Sequence, residues 1–202
     1  MAKKAPSKVS VVLKLAKAGL LRARDLDQKA IPRTYLRRLA DRGAIERVAR
    51  GLYRLADADL TETATLAEVA KRHPESTLCL LSALQVHGLT TQLPHGVWLL
   101  IDRKARAPSG KRPKLHVVRA SGIALSHGVT TQSMDGVAVR VTTPAKTVAD
   151  CFRYRSHVGL DVALEALREY LRKRAGSVDA LLKAAQADRV SSVMRPYVEA
   201  LV

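Results

Sequence analysis

Aromatic side chains are scarce in this sequence, with one Trp, one Phe and five Tyr among 202 residues. Ala, Leu and Val must therefore fill any core. A platform of stacked rings for single-stranded nucleic acid is not on offer. Cysteine is rarer still. Cys79 and Cys151 each sit in an apolar, helix-like run with no CxxC pair nearby, so buried thiols are expected and no metal site is assigned. No apolar stretch reaches transmembrane length. Met1-Ala2-Lys3-Lys4 is followed by no signal-type run, so a cytoplasmic protein without a membrane partner is expected. The P-loop and dinucleotide fingerprints are missing, and neither Ser82 nor Ser126 lies in a Gly-x-Ser-x-Gly elbow. No cofactor and no catalytic residue follow.

Acidic side chains are also few. There are 18 against 35 Lys and Arg, which leaves a net charge of +17. A chain this basic repels itself, and its natural counter-ion is a polyanion. The charge is uneven: +11 over residues 1–55, −3 over 56–100, +8 over 101–160 and +1 thereafter. Two basic regions thus flank a neutral-to-acidic one.

The first basic region has a recognisable order. Val9, Val12, Leu13, Ala16 and Leu20 recur at helical spacing and predict a helix over Ser10–Leu20, ended by Gly19. A short second helix is expected over Arg24–Lys29 with Leu26 inward. Pro32 suits the first turn of a third helix reaching about Arg42, and Gly43 stops it. At 100° per residue Leu36, Leu39 and Ala40 share one side of that helix, while Thr34, Arg37, Arg38 and Asp41 share the other. The period then changes to two. Ala44–Val48 and Leu52–Leu55 read as strands around the turn Ala49-Arg50-Gly51. Three helices, the third basic, followed by a basic hairpin make a winged helix-turn-helix. Arg33, Thr34, Arg37, Arg38 and Arg42 are the candidates for the major groove, where Arg can pair with both acceptors of guanine. On the wing, Arg47, Arg50, Tyr53 and Arg54 are the candidates for phosphate or minor groove.

Asp57-Ala58-Asp59 is a polar break, which sets the expected domains at 1–56 and 57–202. In the second, Thr61 is a candidate cap for a helix through Leu66–Arg72, stopped by Pro74. An apolar helix is expected over Thr77–His87. Strands follow at Val97–Ile101, Leu115–Val118, Val129–Gln132 and Val137–Val141, the last two joined through Asp135-Gly136. Thr143-Pro144 opens a helix through Phe152 in which Lys146 and Asp150 are one turn apart and can pair. A long helix over His157–Lys173 and two shorter ones, Val178–Asp188 and Ser191–Leu201, complete an α+β domain with a C-terminal helical segment. The basic loop Arg103–Lys114 carries Arg103, Lys104, Arg106, Lys111, Arg112 and Lys114. It is either a solvated loop or a second polyanion contact.

Three segments resemble one family. They are Leu39-Ala40-Asp41-Arg42-Gly43-Ala44-Ile45-Glu46-Arg47-Val48-Ala49-Arg50-Gly51-Leu52-Tyr53, then Ser82-Ala83-Leu84-Gln85-Val86-His87-Gly88-Leu89, then Thr143-Pro144-Ala145-Lys146-Thr147-Val148-Ala149-Asp150. In this order they are similar to AbiEi-type antitoxins, the regulator half of type IV toxin–antitoxin (abortive infection) systems. The resemblance implies a winged helix that binds operator repeats in double-stranded DNA and represses its own promoter. It also implies a second domain that counters a nucleotidyltransferase-like toxin. Only Arg47, Arg50, Tyr53 and the recognition helix before them carry over by position; no toxin-contact residue does. An orphan regulator without a toxin would have the same features. A nucleic-acid-cleaving enzyme is the other alternative, resting on Asp102-Arg103-Lys104 at a strand end. The upstream acids Glu68 and Glu75 stand in no fixed relation to Asp102, so a metal-holding set is not assembled in sequence. His87, at the end of an apolar helix, is read as a helix-terminal residue, not a base.

Overall fold

The computed structural model describes residues 7–58, 63–109 and 113–201. The chain divides into two compact units: Met1–Lys71 with Ser133–Val137, and Arg72–Gln132 with Ala138–Val202. The first unit thus runs beyond the polar break at Asp57. Thr61 lies outside the described residues.

The first unit begins with α1, Lys8–Lys17, capped by Ser7, whose Oγ accepts the Ser10 N–H. After it come β1 (Leu21–Arg22), a 3-10 helix (Ala23–Lys29), α2 (Thr34–Asp41), β2 (Ile45–Ala49), β3 (Leu52–Leu55) and α3 (Ala64–Arg72). The three strands form one antiparallel sheet in the order β1-β3-β2. This is the winged helix-turn-helix. Val12, Ala16, Leu21, Leu26, Ile31, Leu36, Leu39 and Ile45 make its core, and none of them is aromatic.

Three details differ from the sequence expectation. The second helix is 3-10; Asp25 takes the Arg22 N–H at 2.8 Å and holds its first turn tight. The third helix proper starts at Thr34, because the turn over Pro32 and Arg33 closes with i to i+3 bonds from Tyr35 N–H and Leu36 N–H. The third difference is β1, which no periodicity announces at two residues long. The turn between the two helices places Ala30 at φ 51°, ψ 38°, a left-handed conformation that favours glycine over any residue with a Cβ.

The second unit contains β4 (Thr77–Leu78), α4 (Leu80–His87), β5 (Val97–Asp102), β6 (Leu115–Ala120), α5 (Ile123–Ser126) and most of β7 (Val129–Met134) and β8 (Val137–Thr142), whose connecting tip, Ser133–Val137, belongs to the first unit. Five helices follow: α6 (Pro144–Arg153), α7 (Arg155–Val158), α8 (Leu160–Arg172), α9 (Val178–Ala187) and α10 (Ser191–Glu199). The sheet order is β6-β5-β4-β8-β7. Residues 77–78, expected to open a helix, are the middle strand instead, antiparallel to β5 and parallel to β8. The long helix expected over His157–Lys173 is broken at Gly159, whose φ of 95° a helix cannot contain. Asp135 and Gly136, at φ 48° and 70°, form the two-residue turn of the β7–β8 hairpin. A Cβ on Gly136 would stand 1.7 Å from the Ala18 carbonyl oxygen, so only glycine fits there. Cys79 and Cys151 are free and buried, and among the described residues no helix is long and apolar enough to cross a membrane.

The core of this unit gathers α4, α6, α8, α9 and α10 over Trp98, Leu100, Val118 and Ala120 of the sheet. Inside it lies a lysine. Lys146, with no exposed surface, donates from Nζ to both Asp188 carboxylate oxygens at 2.8 and 2.9 Å and to Asp150 Oδ1. The expected i,i+4 pair is thus present, but it is buried and shared with Asp188, at the C-cap of α9. Arg153 adds a bond from Nη1 to the Asp188 carbonyl at 3.0 Å. Asp150 Oδ2 is buried and has no hydrogen-bond partner among the described residues. Burial pushes the Asp150 carboxyl up to about 7, against the pull of the Lys146 ammonium and with the help of the neighbouring Asp188.

Because that value is raised on folding, the proton on Asp150 stabilises the native state fully below pH ~4 and less as pH rises toward 7. Wild-type stability minus that of Asp150→Asn, measured by urea unfolding, should therefore fall between pH 4 and 7. Removing the cation is harsher. Lys146→Met leaves two buried carboxylates without their ammonium and should cost about 3–5 kcal/mol. Ala30→Gly should do the opposite, gaining up to about 1 kcal/mol by relieving the left-handed alanine.

Candidate nucleic-acid interface

The amphipathic logic of α2 decides what it offers. Leu36 and Leu39 are buried, so Thr34, Arg37, Arg38 and Asp41 are exposed, as are Arg33 just before the helix and Arg42 just after it. Gly43, at φ 68°, ends the helix, with Ala44 N–H returning to the Leu39 carbonyl at 3.0 Å.

The arginines differ in how far they are already committed. Arg33 forms a fork with Asp27, Nε to Oδ1 at 3.1 Å and Nη2 to Oδ2 at 2.5 Å. That bonded guanidinium holds the Asp27 carboxyl below the usual carboxylate range. Arg37 has only a loose ion pair with Asp41, 3.9 Å away one turn on. Arg38 lies over the Tyr35 ring at 5.7 Å, which steers the stem and leaves the guanidinium edges exposed. No carboxylate within salt-bridge distance of Arg38 or Arg42 is seen among the described residues.

The wing is equally graded. β2 and β3 pair with a bulge between Arg47 and Ala49, so Arg47 faces Tyr53 and Ala49 faces Leu52. Arg47 Nε bonds the Ala49 carbonyl at 3.3 Å, and Arg54 is paired with Glu46 across the strands. Tyr53 packs partly into the core instead of standing free. Arg50 is exposed at the tip, beside Gly51 at φ 72°. The tip does not hang loose: Ala23 N–H donates to the Gly51 carbonyl at 2.9 Å, which ties it to the start of the 3-10 helix. Arg24 and Lys29 on that helix are exposed as well. They were not singled out from sequence. Their place on either side of Leu26, just before the turn into α2, was the available signal.

In the second unit Arg103, Lys104, Arg106 and Lys114 are exposed. Lys111 and Arg112 lie outside the described residues. The near end of this loop is ordered, since Arg119 Nη1 lies 3.2, 2.9 and 2.8 Å from the carbonyls of Asp102, Arg103 and Ala105. Asp102 Oδ1 accepts the Lys104 N–H at 2.7 Å. Among the described residues no three His, Cys, Asp or Glu side chains come together as a metal-holding group. His87 Nε2 bonds the Thr142 carbonyl at 2.6 Å, and burial keeps its ring below the ordinary histidine range, so it closes α4 against β8.

Residues 10–56 match the family described as "Transcriptional regulator, AbiEi antitoxin". That span covers the winged helix from α1 through β3, and it agrees with the family that the sequence segments resemble. No curated protein matches the chain. Among solved structures, the crystal structure of the RV2827C protein from Mycobacterium tuberculosis is similar over 98% of this chain and 83% of that one. The TM-score is 0.59 and the identity 14%. At that identity the likeness concerns the fold, and it extends through both units.

The uncommitted arginines should dominate DNA affinity. Arg38→Ala and Arg50→Ala are expected to weaken binding of a cognate duplex while leaving thermal unfolding unchanged, because neither side chain supports the core. Arg54→Ala should weaken binding less, its charge being already offset by Glu46. Fluorescence anisotropy with a labelled duplex, beside a melting curve, checks the order.

Proposed function

We propose that the chain is a sequence-specific repressor that binds double-stranded operator DNA through this winged helix and serves as the antitoxin of a type IV toxin–antitoxin system. The observation that carries it is the coincidence of the matched span, residues 10–56, with a folded helix-turn-helix whose exposed arginines lie on α2 and the wing tip. Arg37 and Arg38 enter the major groove, with Thr34 and Arg42 at the two ends of the same helix. Arg50 reaches the flanking backbone or minor groove, helped by Arg47 and Arg54. Arg33 and Tyr53 act less directly, Arg33 by bracing the turn against Asp27 and Tyr53 by seating the wing.

In this reading the winged helix occupies operator repeats in the chain's own promoter, in the cytoplasm. The second domain counters a nucleotidyltransferase-like toxin encoded beside it. The division is that of the two expected domains, 1–56 and 57–202. The basic loop adds a second polyanion contact through Arg103, Lys104, Arg106, Lys111, Arg112 and Lys114.

Two measurements test the division. Arg37→Ala should cost about 1–3 kcal/mol on the operator if the side chain reads a base, and an equal loss on every duplex would reduce it to a phosphate contact. The same variant should still rescue growth when the neighbouring toxin gene is induced. Loss of rescue in a folded Arg37→Ala protein would contradict the separation. Binding should also weaken steeply with salt, since the first 55 residues carry +11; a flat dependence would remove the electrostatic basis of the proposal.

A further inference from the structure

The second unit holds a cavity of about 440 Å³ between the loop after α3, the end of β5, the start of the basic loop and β8. Of its lining residues the DNA-binding proposal uses only Arg106, from the basic loop. Its size suits a small metabolite. Its cations come from Arg72, Arg106 and Arg140, and Arg140 Nη1 also bonds the Glu75 carbonyl at 3.3 Å, which fixes that side of the wall. Arg106 stands on the segment that Arg119 ties down through three carbonyls, so its backbone is positioned and not merely tethered. His73 lines the same cavity, and its Nε2 is buried with no hydrogen-bond partner among the described residues.

The cavity is not purely cationic. Glu75 and Asp102 also line it, and Ile101 and Leu125 give it an apolar floor. Three arginines beside two carboxylates make a mixed site, not a uniformly cationic one. They suit a compound with a charged end and hydroxyl donors. Guanidinium groups grip phosphate oxygens, and carboxylates accept from sugar hydroxyls. No Phe, Tyr or Trp lines the walls, so nothing there calls for a stacked base.

We propose that this cavity is a binding site for a small phosphate monoester of a polyol, of the ribose phosphate class, with the phosphate between Arg106 and Arg140 and the hydroxyls toward Glu75 and Asp102. The same phosphate chemistry could be supplied by a free sugar phosphate or by the ribose phosphate end of a mononucleotide.

The test is isothermal titration of the full chain with ribose 5-phosphate, adenosine 5′-monophosphate, unphosphorylated ribose and a non-cognate duplex, each at fixed salt. Ribose 5-phosphate should bind and ribose should not. If the nucleotide binds equally well, the ribose phosphate end is what is recognised; if it binds far better, a base subsite exists and the sugar phosphate class is overturned. Arg106→Gln and, separately, Arg140→Gln should each weaken ribose 5-phosphate by about tenfold or more. Arg38→Ala should leave it unchanged, which separates this site from the DNA-binding surface. Arg106 is exposed, so its variant should melt with the wild type. The proposal is overturned if ribose 5-phosphate does not bind at millimolar concentration, if both Gln variants bind it like wild type, or if the duplex alone shows affinity that depends on Arg106.

Discussion

Leu36 and Leu39 lie three residues apart on a helix of two turns, and both are sealed into a core with Val12, Ala16, Leu21, Leu26 and Ile45. That contact fixes the rotation of α2. With the leucines inward, Arg37, Arg38 and Thr34 have no choice but solvent, and a cationic edge results from packing, not from a separate device. Ile45 belongs to the same cluster and starts the wing, so burial that turns the helix also sets where the hairpin begins. The bond from Ala23 N–H to the Gly51 carbonyl then ties the far end of the wing to the 3-10 helix. Helix and wing are thereby two parts of one rigid surface, which is what docking in a groove and against the adjacent backbone requires.

The same logic explains why a count of arginines is a poor guide to an interface. Arg33 and Arg54 carry full charge but spend much of it on Asp27 and Glu46. Exposed pairs of this kind add little stability. Here they set geometry, holding the helix turn and the two wing strands. Arg38, Arg42 and Arg50 stay available for a polyanion. In the second unit the ionic pattern is inverted. The charges of Lys146, Asp150 and Asp188 are buried and serve the fold, joining α6 to the end of α9. Replacing one member there threatens folding, while replacing an arginine on α2 threatens only binding.

Much of the first unit could be read in the sequence because its signals are local. Pro32, Gly43 and the Leu36–Leu39 spacing announce a basic helix, and Arg50-Gly51 between alternating strands announces a wing. The second unit was less legible for physical reasons. Thr77 and Leu78 run into the apolar stretch that becomes α4, and two residues cannot show a period. Their place at the centre of the sheet is decided by β5 and β8, more than 15 residues and about 60 residues away in sequence. Leu80 enters its helix at φ 46°, a conformation that leucine does not advertise. Asp188 is 42 residues from the lysine it holds, so only the Lys146–Asp150 part of the cluster showed in the spacing. At the candidate interface the exposed arginines were visible from spacing, but the partners that occupy Arg33 and Arg54 were not.

The central claim is that the edge of α2 built by these leucines reads duplex DNA in the major groove while the wing holds the neighbouring backbone. Selecting binding sites for the full chain from a random duplex pool, then methylating guanine N7 in the enriched site, tests it most directly. The account predicts an enriched motif whose binding is blocked by N7 methylation at one or two positions, with Arg38→Ala insensitive to one of them. Enrichment of no motif, or a motif whose binding ignores N7 methylation and the identity of residue 38, would contradict it.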